Sequence, residues 1–178
     1  MAIYVALLRG INVGGNVLKM DRLREVCEGL GFKNVRTYVQ SGNVVFEADS
    51  SSPSLTQLEH RLADESRLPV VALLRTDKEM QKIIAGNPFL ARSGIDHTKL
   101  HVTFLSDSAT KEGLTKLSEI SAGADEFHAI GKQIYVHCPN GYSRTKLTNN
   151  AIEKKLALKA TTRNWNTVVR LYEMASGK

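Results

Sequence analysis

The chain has 178 residues, 42% of them hydrophobic and 24% charged, with four prolines and a formal net charge of +6. That length buries a good core, either as one domain or as two small halves, and the ordinary globular composition excludes extensive disorder. No apolar run approaches the roughly 20 residues of a membrane span, and the N-terminus lacks a basic segment followed by an apolar stretch and a cleavage site, so the chain reads as cytoplasmic with no membrane partner.

Taken in order, residues 3–8 are β-branched and apolar and predict a strand. Residues 8–20, LRGINVGGNVLKM, then hold three glycines in six positions. Met20, Leu23, Val26, Cys27 and Leu30 recur at helical spacing, Gly31 stops that helix, and Phe32 is placed for the contact that follows a glycine C-cap. Residues 35–40 and 44–48 are strand-like around Ser41-Gly42-Asn43, a hairpin signal. Ser54-x-x-Gln57 is a capping box opening a helix with Leu55, Leu58 and Leu62 on one face, and residues 69–75 form another strand. The first 75 residues thus spell β-α-β-β-α-β, the ferredoxin-like unit. Both faces of its first strand are apolar, so something covers the second face, and the other half of the chain is the candidate.

Thr76-x-x-Glu79 is a second capping box, Asn87-Pro88 stops the helix it starts, and the mixed polar segment 86–98 marks the join between halves 1–86 and 87–178. Beyond it come a strand at 100–105, a helix marked by Leu114, Leu117 and Ile120, a hairpin of 126–130 with 133–138, and two helices near 148–158 and 164–174. The expectation is an α+β protein of two ferredoxin-like sub-domains with antiparallel sheets. The second ends in a pair of helices, with a helix where its last strand would be.

Charge is unevenly spread. Nine basic residues and only Glu153 and Glu173 as acids follow from Lys132 onward, whereas residues 1–131 carry a net charge of −1. This asymmetry points to an anionic partner at the C-terminal quarter. The run 143–174 places Trp165, Val168, Val169 and Tyr172 on one helix face, leaving Arg163, Asn164 and Asn166 near the helix start as a carboxylate or phosphate receptor, unless Asn164 or Thr162 only caps the helix. The two helices joined by residues 159–162 also have the outline of a helix-turn-helix, although the turn lacks glycine.

Gly10 and Gly15 match the outer glycines of a P-loop, but Asn16 and Val17 stand where its lysine and hydroxyl belong, which argues against a nucleotide triphosphatase. Converging amides, a helix N-terminus and the flanking Arg9 and Lys19 still suit an anion, and the alternative is a turn whose glycines and asparagines supply positive φ. In a ferredoxin-like order this loop and Ser41-Gly42-Asn43 meet at one edge of the sheet. Tyr4 and Phe46 are too few for an RNA-stacking platform. Pairing the second hairpin about Gly131-Lys132 puts Glu126, His128, Tyr135 and His137 on one face, where His101 from the neighbouring strand joins them as a secondary acid-base or metal candidate. No disulfide or cysteine metal pattern involves Cys27 and Cys138, which suit buried thiols.

Three blocks together carry a resemblance: residues 9–15 with Leu18-Lys19-Met20 and Leu23; residues 37–46, TYVQSGNVVF; and Ser143-x-x-Lys146-Leu147 continuing to Glu153-Lys154, Thr161 and residues 163–167, RNWNT. They resemble the bacterial family of unknown function DUF1697 over nearly the full length. The resemblance implies a two-part α+β protein and no particular reaction, and it marks the three blocks, ahead of the histidines, as candidate sites. The leading expectation is a protein that binds an anionic ligand, a nucleotide-like metabolite or nucleic acid, through Arg9, Gly10, Asn12, Gly14, Gly15, Lys19, Ser41, Gly42 and Asn43 with Lys146, Arg163, Asn164 and Asn166. The alternatives are a small enzyme on a phosphorylated or acidic substrate and an interaction module without a ligand. No cofactor or metal is expected, and the oligomeric state is left open.

Overall fold

The computed structural model of the chain describes residues 1–12, 15, 17–38, 42–49 and 53–177. The chain divides into two compact units, Met1–Lys82 with Arg170–Lys178 and Ile83–Val169.

The first unit runs β1 (Ala2–Arg9), α1 (Met20–Gly29), β2 (Lys33–Tyr38), β3 (Asn43–Ala48), α2 (Leu55–Ser66) and β4 (Val71–Thr76), and α3 (Asp77–Ala85) follows. Its antiparallel sheet has the order β2-β3-β1-β4, with Leu7 opposite both Asn43 and Leu73. Local signals set the boundaries. After α1, Gly31 N–H donates to the Glu28 carbonyl at 2.9 Å and Phe32 N–H to the Cys27 carbonyl at 3.2 Å, and Phe32 is buried, which completes the glycine stop read from the sequence. At α3 the capping box is reciprocal: Glu79 N–H donates to the Thr76 hydroxyl at 3.2 Å while the Glu79 carboxylate accepts from Thr76 N–H at 2.7 Å.

Tyr4, Ala6, Leu8, Val44 and Phe46 point from the sheet into a core shared with Leu23 and Cys27 of α1 and Leu58 and Leu62 of α2. Each large side chain withdrawn there contributes about 1.5–3 kcal/mol. Tyr4 and Phe46 stack within this core and Phe32 lies 4.1 Å from the Phe46 ring, so neither strand aromatic is available to a nucleobase. The other face is buried too, through Val5, Leu7, Val45 and Arg75, as the apolar alternation of β1 requires.

The second unit runs β5 (Leu100–Leu105), α4 (Lys111–Ser118), β6 (Glu126–Ile130), β7 (Gln133–His137), α5 (Asn149–Leu156) and β8 (Ala160–Asn164), and α6 (Trp165–Ser176) follows. Its order β6-β7-β5-β8 repeats that of the first sheet. Both terminal helices are present, but the segment between them is a strand that pairs along β5, from Leu105 opposite Ala160 to His101 opposite Asn164. This corrects the reading of a helix in place of the last strand, and it removes the helix-turn-helix. Ala157, at φ +54°, ends α5, and the β-branched Thr161 and Thr162 then suit the pleat. Trp165 is core, as its helical spacing indicates.

Cys27 and Cys138 are free and buried, and burial pushes their thiols up to about 12 and about 11, so both stay protonated and unreactive. Among the described residues, no helix is long and apolar enough to cross a membrane.

Candidate functional site

The first two blocks come together at one end of the first sheet. Leu7 lies opposite Asn43, and Leu8 N–H donates to the Gly42 carbonyl at 2.8 Å. Four candidate residues there are occupied by the turn itself. Gly10 sits at φ +93°, where a Cβ would collide with the Pro69 carbonyl oxygen, and Gly42 at φ +80°, where a Cβ would lie 2.5 Å from Ile11 Cδ1. Asn12, at φ +61°, accepts from Leu18 N–H through Oδ1 at 2.7 Å, and the fully buried Asn43 donates from Nδ2 to the Tyr38 carbonyl at 3.0 Å. Arg9 is half-buried, Gly15 and Lys19 are exposed, and Gly14 and Ser41 lie outside the described residues.

On the second hairpin, His128 faces Tyr135 and Glu126 faces His137, as the turn position implies. Tyr135 is buried and donates from its hydroxyl to the Ile83 carbonyl at 2.9 Å, and the Phe89 ring lies 5.1 Å from His128 and 5.5 Å from His137. Arg92 spans the Phe89 ring at 5.0 Å and grips Glu126 with two bonds of 2.7 Å, while His137 Nδ1 is 3.5 Å from Glu126 Oε1. The Arg92 guanidinium holds the Glu126 carboxyl down at about 2. These contacts fasten the connector around Phe89 onto the hairpin.

His101 does not join this group. Its register opposite Val136 puts it on the other face of the sheet, because residues directly opposite share a face. There it stacks on Tyr142 at 4.5 Å, among the described residues its Nδ1 has no hydrogen-bond partner, and burial pushes its pKa down. Among the described residues, no group of three or more His, Cys, Asp or Glu is arranged to hold a metal ion.

The third block divides by exposure. Arg163 is buried in β8, bonded from Nη1 to the Thr161 hydroxyl at 2.8 Å and the Thr162 carbonyl at 3.0 Å, and burial pushes its pKa down to about 10. Asn164 accepts from Thr167 N–H at 2.8 Å and so caps α6, while Asn166 is exposed in its first turn. Lys146 instead reaches a surface cleft of about 270 Å³, lined also by Gly123, Asp125, Asn140 and Arg144.

Backbone turns build this cleft. Gly141, at φ +92°, donates to the Cys138 carbonyl at 2.9 Å and redirects the chain after β7 into a single 3-10 turn, Tyr142–Arg144. Thr145 and Leu147 then turn inward, joined by a 3.0 Å bond from Leu147 N–H to the Thr145 hydroxyl, which leaves Arg144 and Lys146 exposed on alternate positions. Asp125 lines the same cleft, and its N–H donates to the Ala122 carbonyl at 3.1 Å. Among the described residues, Asp125, Arg144 and Lys146 form no ion pair with one another.

The family model described as "Protein of unknown function (DUF1697)" matches residues 1–135. The chain belongs to the DUF1697 family. The matched span contains the first two blocks and ends within β7, so the third block and the cleft residues Asn140, Arg144 and Lys146 lie beyond it, whereas Asp125 lies inside it. A solved structure, the conserved bacterial protein SP0830 from Streptococcus pneumoniae, superposes with a TM-score of 0.76 at 22% identity, covering 99% of both chains. That likeness establishes the shared fold across the whole DUF1697 chain. A putative chlorite dismutase, TA0507, matches at 13% identity over 99% of this chain and 88% of that one, with a TM-score of 0.23 that is too low to carry an argument. No curated protein matches the chain.

Of the cleft residues in this DUF1697 protein, only Lys146 was a sequence candidate. Arg144 had a signal, its place beside Lys146 in the third block. Asp125 and Asn140 had none, since they meet Lys146 only once the β6-β7 hairpin is folded.

Proposed function

We propose that this DUF1697 protein binds a small anionic metabolite in the cleft of its second unit. The observation that carries the reading is the pair Arg144 and Lys146, both exposed, both lining the cleft and, among the described residues, committed to no ion pair. A guanidinium supplies a planar fork and an ammonium a point charge, a combination suited to phosphate or carboxylate. Asn140 adds amide donors on the same cleft. A volume of about 270 Å³ is near the lower bound of small-molecule sites, roughly 300 Å³, which favours a metabolite over a polymer. The turn contacts of Gly10, Asn12, Gly42 and Asn43 and the cap made by Asn164 support placing the ligand at the cleft rather than at those residues.

Calorimetric titration of the full chain with inorganic phosphate, a nucleoside monophosphate and an oligonucleotide tests this. The metabolite is expected to bind with a shallow salt dependence, and R144A or K146A to weaken it roughly tenfold each. A steep fall in oligonucleotide affinity with salt, with a slope near −0.9 per duplex phosphate neutralised, would instead identify nucleic acid as the partner. Flat titrations for every anion would overturn the reading.

A further inference from the structure

We infer that the cleft selects a phosphate monoester that also carries an ammonium group, an inference that rests on the anion-binding reading above. Three charged side chains line the cleft, and they are not of one sign: Arg144 and Lys146 are cations, Asp125 is an acid. Two cations match the charge of about −1.5 to −2 on a phosphate monoester at neutral pH better than the single charge of a carboxylate.

Asp125 distinguishes this cleft from a plain anion receptor. A simple phosphate drawn in by Arg144 and Lys146 meets the Asp125 carboxylate as a like charge, which opposes binding. An ammonium on the same ligand turns that repulsion into attraction. Asp125 is not diverted to neutralising the two cations, since it pairs with neither. Its backbone is held in place by the bond to Ala122, and its side chain is half-buried, which limits the solvent screening that weakens exposed pairs. Gly123, which also lines the cleft, has among the described residues no heavy atom beyond its chain neighbours within 4 Å of where a Cβ would stand, so its backbone is open there. The cleft thus presents two positive charges and one negative charge, and the complementary ligand carries the reverse.

Phosphoethanolamine and n-propyl phosphate have the same chain length and differ only in the ammonium, so calorimetry of the full chain with both reads the selection directly. Phosphoethanolamine is expected to bind about fivefold more tightly than n-propyl phosphate, and D125N to erase that preference while leaving n-propyl phosphate bound at least as well. Equal affinities in the unmodified protein, or a D125N variant that weakens both ligands alike, would overturn the inference and leave the anion-binding reading standing. Failure of both ligands to bind the unmodified protein would overturn both.

Discussion

Gly10 shows how little freedom the first loop has. Its φ of +93° is open to glycine, and its α-carbon lies so close to the Pro69 carbonyl that a methyl group has no room. Because the obstacle is backbone, it does not swing aside. Gly10→Ala is expected to cost about 2–4 kcal/mol, read as a lowered urea midpoint. Glu126 offers a second check at this scale. Its folded carboxyl titrates at about 2 against an ordinary 4.5, so the pair with Arg92 stabilises the fold above pH 4.5 and the contribution is lost as pH falls toward 2. Both partners are exposed, so the effect is modest. Urea midpoints of wild type and E126Q are expected to differ at neutral pH and to converge by about pH 2; a constant gap would show that the carboxylate charge is irrelevant.

At the scale of elements, the caps were readable because each needs only four consecutive residues. Asn164 was open to two readings, ligand and cap, and its bond to Thr167 N–H shows the cap on α6. N164A is therefore expected to lose about 1 kcal/mol of stability, with N164D retaining most of it, and neither variant should alter anion affinity. A loss of affinity without a loss of stability would return Asn164 to the binding site. β8 was harder to see. Five residues between two amphipathic helices carry too short a pattern to outweigh their flanks, and what makes them a strand is pairing with β5, roughly 60 positions earlier in the chain. Position on a sheet face was harder still: His101 belongs with Val136 because of one register, and a shift of one residue would have put it with His137.

At the scale of the whole molecule, the chain repeats one plan. Each unit has the element order β-α-β-β-α-β followed by a helix, and each sheet places its first strand between its third and fourth. The division does not follow chain order, since Arg170–Lys178 belongs with Met1–Lys82. Leu171, fully buried in that stretch, is expected to be worth about 2–5 kcal/mol by L171A, with amide exchange rising among residues 1–82 despite their distance in sequence. Exchange confined to α6 would show that the C-terminal turns contribute nothing to the first unit.

Local rules let the sequence by itself determine the helices, most strands, the caps, the buried thiols and the surplus of positive charge after residue 131, because period, propensity and capping act over a few neighbouring residues. The apolar alternation of β1 also announced that both faces of its sheet are buried. Only the tertiary structure decided that residues 160–164 form a strand, that Arg163 is buried while Lys146 is exposed, and that Asp125, Asn140, Arg144 and Lys146 share one cleft. Those outcomes depend on strand register and on contacts across the β6-β7 hairpin, whose free energy belongs to pairs of segments and is not written in either one alone.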